Sequence, residues 1–278
     1  MKRILIPVDF SDLARYALEM AEKMQVELEA ELHFVHVITL PSHIYLKPDG
    51  SLMDDGEMTT SGLKNQQEQA ALRLKSWTNG VKAAHKEVVL FGHVNETTLN
   101  YVKTNGIDMI VMGTHGAHGM KELLTGSHAE YLAMHADAPV LSIKGATTQM
   151  DRMLLASDFT ADMPSRVELL LALKKAFHAR LYLLQVQLKG KKRSEVAIQE
   201  KMSAFAEKHD LEDVYYAIYP AHDLEEGIVR FAAEQQIGLI AIGSMQRTGL
   251  NRILNGCISA DLVNHVDKPI FTFKLQDH

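Results

Sequence analysis

The chain has 278 residues, of which 46% are hydrophobic and 23% are charged, and its net charge is −6. This composition is typical of a protein with a packed core, and it excludes a disordered, collagen-like or disulfide-stapled chain. The acidic net charge argues against a nucleic-acid-binding protein. No apolar run reaches the roughly 18 residues that span a membrane. The single cysteine, Cys257, indicates a reducing, cytoplasmic compartment.

The two halves of the sequence repeat each other. Residues 2–11, KRILIPVDFS, resemble residues 151–160, DRMLLASDFT. Residues 108–113, DMIVMG, resemble residues 238–243, GLIAIG. The repeat predicts two tandem copies of one folding unit, because self-similarity at a fixed offset is the signature of repeated architecture.

The offset between the copies falls along the chain, so the first copy contains extra residues. They are placed in Pro41–Gly62, which is rich in Pro, Gly, Asp, Ser and Thr and is predicted to be a long loop. Loops of this length are usually functional or mobile, and we interpret this one as a lid that orders on ligand binding. The predicted domains are residues 1–147 and 148–278.

Short apolar runs alternate with segments of helical periodicity in the first copy. Helical spacing predicts a helix capped by Ser11, and a later one capped by Asn95 and ended by Gly106. Apolar strands separated by helices are typical of a parallel sheet covered on both faces. The second copy follows the same order, so the predicted fold is α/β, with two tandem doubly wound domains. The predicted strands of the first copy are residues 3–8, 32–37, 88–91, 107–112 and 140–144.

A glycine motif follows the fourth predicted strand directly. Its spacing is G-x2-G-x9-G-S, formed by Gly113, Gly116, Gly126 and Ser127. Glycines let backbone amides approach phosphate oxygens, and a helix that starts at Ser127 would favour an anion. Asp9 follows the first strand, where a carboxylate can accept from ribose hydroxyls or an adenine amine. Ordinary turn glycines and a turn or cap aspartate are the alternative interpretations.

These motifs resemble those of the universal stress protein family over essentially the whole chain. The resemblance rests on ILIPVDFS, HFVHV, VMGTHG…TGS and ADAPVLSIK in the first copy, and on LLASDFT, LIAIGS and VDKPIFTFK in the second. It implies five-stranded parallel sheets of order 3-2-1-4-5 and binding of ATP with Mg²⁺ or Mn²⁺. The implied binding residues are Pro7, Val8, Asp9 and Val37 on the adenosine side, and Met112, Gly113, Gly116, Gly126, Ser127 and His128 around the ribose and phosphates.

The second copy departs from the glycine motif at two positions. Gln246 stands in place of the second glycine, and Cys257 stands in place of the serine. A glutamine side chain would fill the space that a phosphate needs beside bare backbone, and a thiol is a poorer hydrogen-bond donor than a hydroxyl. We therefore expect one ATP per chain, in the first domain, although Asp158 keeps the position of Asp9.

The histidines do not predict a metal site. His115 and His118 lie three residues apart in the glycine-rich loop, and local spacing supplies no third ligand, whereas zinc usually takes three or four. His33 and His36 lie in the second predicted strand, where we interpret them as core histidines with satisfied hydrogen bonds. No metal-ligating residues are assigned.

The function predicted from these motifs is that of an ATP-binding, nucleotide-responsive stress or regulatory protein with an unknown protein partner. The sequence has no G-x4-G-K-[ST] phosphate loop, and no nucleophile and base can be assigned around Ser127. A slow ATPase or autophosphorylating enzyme at the same site is one alternative. A nucleotide-free interaction protein is another.

The fifth strands of the two copies predict how the halves assemble. VLSI at residues 140–143 and IFTF at residues 270–273 are both apolar. We expect them to pair with each other inside one chain, as an intrachain pseudo-dimer, because pairing protects both edges. A homodimer of whole chains stays an open alternative.

Overall fold

A computed structural model describes residues 1–40, 57–114, 128–146, 149–160, 164–190, 194–244, 262 and 266–274. The elements of the first half alternate between strand and helix, as do those of the second. In chain order they are β1 (Arg3–Pro7), α1 (Asp12–Leu28), β2 (Glu31–Ile38), α2 (Glu57–Trp77), β3 (His85–Phe91), α3 (Val94–Asn105), β4 (Met109–Gly113), α4 (His128–His135), β5 (Val140–Ile143), β6 (Arg152–Ala156), α5 (Pro164–Ala176), β7 (Arg180–Leu188), α6 (Glu195–Lys208), β8 (Val214–Ala221), α7 (Leu224–Glu234), β9 (Leu239–Ser244) and β10 (Ile270–Lys274).

The ten strands of the described residues form one sheet. Its order is β3-β2-β1-β4-β5-β10-β9-β6-β7-β8. Every neighbouring pair is parallel except β5 and β10, which are antiparallel. Each half therefore has the predicted order 3-2-1-4-5, and the prediction of two doubly wound α/β units is confirmed.

The helices cover both faces of the sheet. Ile4 and Ile6 of β1 belong to a core shared with α1, α2, α5 and α6, on what we call the α1 face. Leu5, which alternates with them, belongs to a core shared with α3, α4 and α7, on what we call the α3 face. A strand buried on both faces must be apolar throughout, which explains its unbroken apolar sequence.

The ends of α1 and α3 differ in how they are capped. The Ser11 side chain accepts a hydrogen bond from the backbone N–H of Ala14 at 3.2 Å, so the predicted N-cap of α1 is confirmed. Gly106 ends α3 in the left-handed conformation, with φ of 58°, as expected of a C-cap glycine. The prediction that Asn95 caps α3 is wrong: His93 is the N-cap, and Asn95 lies inside the first turn.

Part of the predicted loop Pro41–Gly62 is helical. α2 begins at Glu57, so residues 57–62 belong to the helix and the loop prediction is wrong there. No atom would lie within 4 Å of a Cβ added at Gly62, so packing does not require a glycine there, and its backbone flexibility makes it unfavourable in a helix. Residues 41–56, and with them the interpretation of this segment as a lid, lie outside the described residues.

The antiparallel pair β5 and β10 joins the two halves, which confirms the expected intrachain pairing. Leu141 and Phe271 stand opposite each other in this pair, and both are fully buried in the core of the α1 face. On the same face α1 packs against α5, and salt bridges join Lys175 to Glu27 at 2.5 Å and Lys2 to Glu168 at 3.2 Å. One hydrophobic core therefore runs through both halves.

Two lysines at equivalent positions of the two copies lie at the ends of β5 and β10. Lys274, at the end of β10, donates to Asp137 at 2.9 Å and to the carbonyl of His135 at 3.0 Å. Lys144 occupies the equivalent position after β5, where its Nζ is buried and makes no hydrogen bond with the described residues. Burial lowers the pKa of Lys144 to about 8, and the negative charge of Asp267 opposes this shift.

None of the described helices is both long and apolar enough to cross a membrane.

Replacing Phe271 by alanine should destabilise the whole chain. The change leaves a cavity in the shared core, so we expect the free energy of unfolding to fall by about 3–5 kcal/mol in a single transition measured by urea denaturation. Leu72→Ala, at a side chain that is 70% exposed, is the control and should change it by less than about 0.5 kcal/mol. Two separate transitions would contradict a common core.

The buried amine of Lys144 should make stability depend on pH. Between about pH 8, where folded Lys144 loses its proton, and about pH 10.4, where an unfolded lysine does, the unfolded state binds more protons. The free energy of unfolding should therefore rise with pH across this window relative to that of Lys144→Met. Urea denaturation at several pH values measures the difference. The exposed-site control Lys201→Met should run parallel to the unmodified protein, and a Lys144→Met curve that also runs parallel would refute the effect.

Candidate functional site

The strand order reverses between β1 and β4. β1 continues through α1 to β2 on one side, while β4 pairs with its other side through Ile4–Met109 and Leu5–Ile110. A crevice forms at the carboxyl ends of the strands at such a point, and it is where ligands bind in open α/β sheets. Asp9 follows β1 and Gly113 ends β4, so the structure brings them to this same edge, which we call the carboxyl edge of the first half.

Asp9 shapes the turn that leads from β1 into α1. Its Oδ1 accepts hydrogen bonds from the Ser11 backbone N–H at 2.9 Å and from the Ser11 hydroxyl at 2.6 Å. Phe10 between them has a φ of 66°. The interpretation of Asp9 as a turn aspartate is therefore confirmed. Both bonds end on one oxygen and the side chain is exposed, so a ligand can still reach the carboxylate.

The residues behind this turn are fixed on the α1 face. Val8 is 4% exposed, and its backbone N–H donates to Val35 at 2.8 Å. Its carbonyl lies 2.7 Å from Nδ1 of His36. Phe10 packs between the ring of His36, at 4.7 Å, and the guanidinium of Arg73, at 4.0 Å. The side chain and both backbone groups of Val8 therefore serve the fold.

Gly113 is required by packing. A Cβ added there would lie 2.5 Å from the backbone carbonyl carbon and oxygen of Leu13 in α1. The glycine therefore allows β4 to approach α1 closely on the α1 face, a reason that the spacing of the glycine motif does not reveal. Met112 and Val37 lie on the opposite, α3 face, where Met112 is 5% exposed and Val37 is half-buried.

His128 begins α4 and contacts α3. Its Nδ1 lies 2.7 Å from Oδ1 of Asn95, which uses its side chain for this contact instead of capping α3. Sequence reasoning missed the pair because Asn before a helical segment is an ordinary capping signal. A comparison of the two copies offers a signal, because Glu225 and Ile258 stand at the equivalent positions of the second copy.

The structure gathers part of the predicted nucleotide site. Pro7 ends β1, Asp9 follows it, Met112 and Gly113 end β4, and His128 begins α4. Gly116, Gly126 and Ser127 lie outside the described residues, as do His115, His118, Gln246 and Cys257. Among the residues that the structure describes, no three His, Cys, Asp or Glu side chains are grouped so that they could hold a metal ion.

A second polar cluster lies at the amino ends of the strands, away from this edge. His33, which is 1% exposed, contacts the Tyr101 hydroxyl at 2.8 Å and the Glu31 carboxylate at 2.9 Å, and Lys86 lies 3.3 Å from Glu31. The interpretation of His33 as a satisfied core histidine is confirmed. The hydrogen bond with His33 lowers the pKa of Glu31, and burial raises the pKa of Tyr101.

The equivalent edge of the second half keeps the turn and changes its surroundings. Asp158 accepts from the N–H and the hydroxyl of Thr160 at 3.2 and 2.7 Å, and Phe159 has a φ of 56°. Gln185 replaces His36, is 6% exposed, and its Oε1 has no hydrogen-bond partner in the described part of the chain. Ser157 replaces Val8 and accepts from the Phe159 N–H at 3.0 Å.

Comparison with known proteins agrees with the repeat. The model of the universal stress protein family matches residues 1–144 and 150–274. A universal stress protein of Methanocaldococcus jannaschii is 32% identical to this chain, and the match covers 51% of this chain and 82% of that protein. One of Bacillus subtilis is 28% identical, and the match covers 51% of this chain and 98% of that protein. The crystal structure of a universal stress protein from Archaeoglobus fulgidus has the same fold, with a TM-score of 0.71 at 20% identity over 98% of both chains.

Replacing Gly113 by alanine should destabilise the protein in the absence of any nucleotide. The added methyl group overlaps the Leu13 backbone, and overpacking of this kind costs about 1–3 kcal/mol. Thermal unfolding of nucleotide-free protein measures the loss. Gly62→Ala is the matched control and should preserve or raise the melting temperature, because its Cβ meets no atom and alanine favours a helix. An unchanged melting temperature in Gly113→Ala would rule out the packing requirement.

Proposed function

The chain belongs to the universal stress protein family, and from that premise we propose that its N-terminal half binds one ATP, with Mg²⁺ or Mn²⁺, in the crevice between β1 and β4. In this proposal the protein is a cytoplasmic, nucleotide-responsive regulator, and ATP occupancy is the signal that it presents to a protein partner. Residues 1–147 form the nucleotide-binding domain, and residues 148–278 form a domain with an altered site.

The observation that carries the proposal is the reversal of strand order between β1 and β4. It brings the exposed carboxylate of Asp9 and the end of β4 at Gly113 to the same edge of the sheet. Crevices at this point of a doubly wound sheet are the usual binding sites for nucleotides. The positions that the family resemblance assigns to the adenosine, at Pro7 and Val37, lie on β1 and its neighbour β2.

The residues at this edge suit the parts of a nucleotide. Half-buried Val37 offers apolar surface on the α3 face, which suits an adenine ring, and Met112 is buried beneath that face. Asp9 can accept from the ribose or the adenine amine. Asp9 and Asp12, the latter in the first turn of α1, are the nearest carboxylates for a hard divalent cation, which prefers oxygen ligands. Magnesium or manganese bound there would neutralise phosphate charge.

Differences in the C-terminal half support the proposal that each chain has one nucleotide site. Its strand-to-helix turn is the same, but Gln246 and Cys257 break the glycine motif. Behind the turn, Gln185 and Ser157 stand where the first half has His36 and Val8. The two copies therefore share the strand-to-helix turn, and they differ both in the packing behind it and in the glycine motif that would contact a nucleotide.

Asp9→Ala should abolish or strongly weaken ATP binding, and Asp158→Ala should not. Both substitutions remove an aspartate that accepts the same two turn bonds, so the loss of the turn is matched and only the ligand contact differs. We expect at least a tenfold rise in the Kd for ATP in Asp9→Ala, measured by calorimetry with Mg²⁺ and again with Mn²⁺.

Nucleotide released by denaturing freshly purified protein tests the stoichiometry. Close to one ATP per chain is the expected result, whereas two would show that the second half also binds. ADP in its place would favour the slow ATPase, and linear, metal-dependent ADP formation lost in Asp9→Ala would establish it. The proposal would be refuted if the purified protein releases no nucleotide and saturating ATP leaves its melting temperature unchanged. A ligand at 100 times its Kd raises the free energy of unfolding by about 2.7 kcal/mol.

A further inference from the structure

We propose that Asn95 is a positioning residue that holds His128 toward the phosphate groups of the bound nucleotide. The inference rests on the proposed function and adds to it a contact between α3 and α4. Neither the glycine motif nor the family resemblance as read from the sequence includes Asn95.

The contact between the two side chains fixes which ring nitrogen faces a ligand. Nδ1 of His128 lies 2.7 Å from Oδ1 of Asn95. An amide oxygen only accepts hydrogen bonds, so Nδ1 must carry the proton and donate it. This bond persists in both the neutral and the charged imidazole, because Nδ1–H is present in each. Nε2, on the far side of the ring, is left for a second partner.

Both residues lie at the edge where the nucleotide is proposed to bind. α3 begins three residues after the end of β3, and Asn95 is in its first turn. His128 is the first residue of α4, which follows β4, and its side chain is exposed while Asn95 is half-buried. Both helices lie on the α3 face together with Met112 and Val37. The half-buried amide thus anchors an exposed ring beside the apolar positions.

A phosphate is the partner that suits Nε2 at this place. The first N–H groups of α4 have no intrahelical acceptor and add positive potential beside His128, which favours an anion there, and the carboxylate of Glu130 in the same turn opposes this effect. Nε2 donates to a phosphate oxygen in the imidazolium form of the ring, which carries a proton on both nitrogens. His128 then bonds the nucleotide through Nε2 while Asn95 keeps the ring from rotating.

The second copy lacks both partners. Glu225 stands at the position of Asn95 and Ile258 at that of His128. An isoleucine cannot donate a hydrogen bond, and a glutamate adds negative charge where an anion would bind. The pair is therefore present in the copy with the intact glycine motif and missing from the copy in which that motif is broken.

A double-mutant cycle on the full chain tests the inference. Asn95→Ala, His128→Ala and the double variant are titrated with Mg·ATP and with adenosine. We expect His128→Ala to raise the Kd for ATP about tenfold and Asn95→Ala about three- to tenfold. The double variant should be no weaker than His128→Ala, because Asn95 acts through His128. Adenosine affinity should stay within about twofold in all three, because adenosine has no phosphate.

Nitrogen NMR of His128 gives a readout that does not depend on the ligand. The unmodified protein should show His128 with a protonated Nδ1, and Asn95→Ala should show the mixture of tautomers of a free imidazole. Asn95→Ser is the substitute if Asn95→Ala does not fold. An Asn95→Ala variant with unchanged ATP affinity, additive losses, an equal loss for adenosine, or an unchanged tautomer would each overturn the inference. Failure of the unmodified protein to bind ATP would instead overturn the proposed function, and the two failures are thus distinguished.

Discussion

The antiparallel pairing of β5 with β10 is the constraint on which the architecture depends. Both strands are apolar, and alone each would expose an unpaired edge next to a hydrophobic core. Their pairing buries Leu141 against Phe271 and lets the core of the α1 face continue from one half into the other. The pair is antiparallel while all other pairs are parallel, so the strands of the two halves run in opposite directions. The carboxyl ends of the first half's strands therefore lie at one edge of the sheet, and those of the second half lie at the opposite edge.

Some contacts are the same in the two copies, and others are replaced by contacts of a different kind. Arg3 donates to the last turn of α3 at 2.7 Å, and Arg152 makes the same contact with the end of α7 at 2.8 Å. In contrast, the buried contact of His33 is replaced by an aromatic stack of Tyr182 on Tyr215, with ring centroids 5.0 Å apart. A hydrogen-bonded cluster and an aromatic stack can fill the same space, so these positions are free to change without loss of the sheet.

Much of the fold could be predicted because its signals are local. The repeat, the apolar strands, Ser11 as a cap and Gly106 as a C-cap each depend on neighbours in the sequence. The failures depend on distant contacts. Asn95 has the residue type of a cap, but its side chain bonds to a helix that starts more than thirty residues later. Strand order predicts that Asp9 and Gly113 meet at one carboxyl edge, as they do, whereas the packing of Gly113 on α1 could not be inferred from glycine spacing.

The covalent link between the halves has a consequence for how the pair is maintained. Two separate chains that paired through such strands would dissociate on dilution, and if they differed they would also form pairs of like with like. In this chain the partner of β5 is always β10 of the same molecule, so pairing is a unimolecular event that is independent of protein concentration. Every molecule therefore carries one copy with the intact motif and one with the broken motif in a fixed ratio of one to one, at any level of expression.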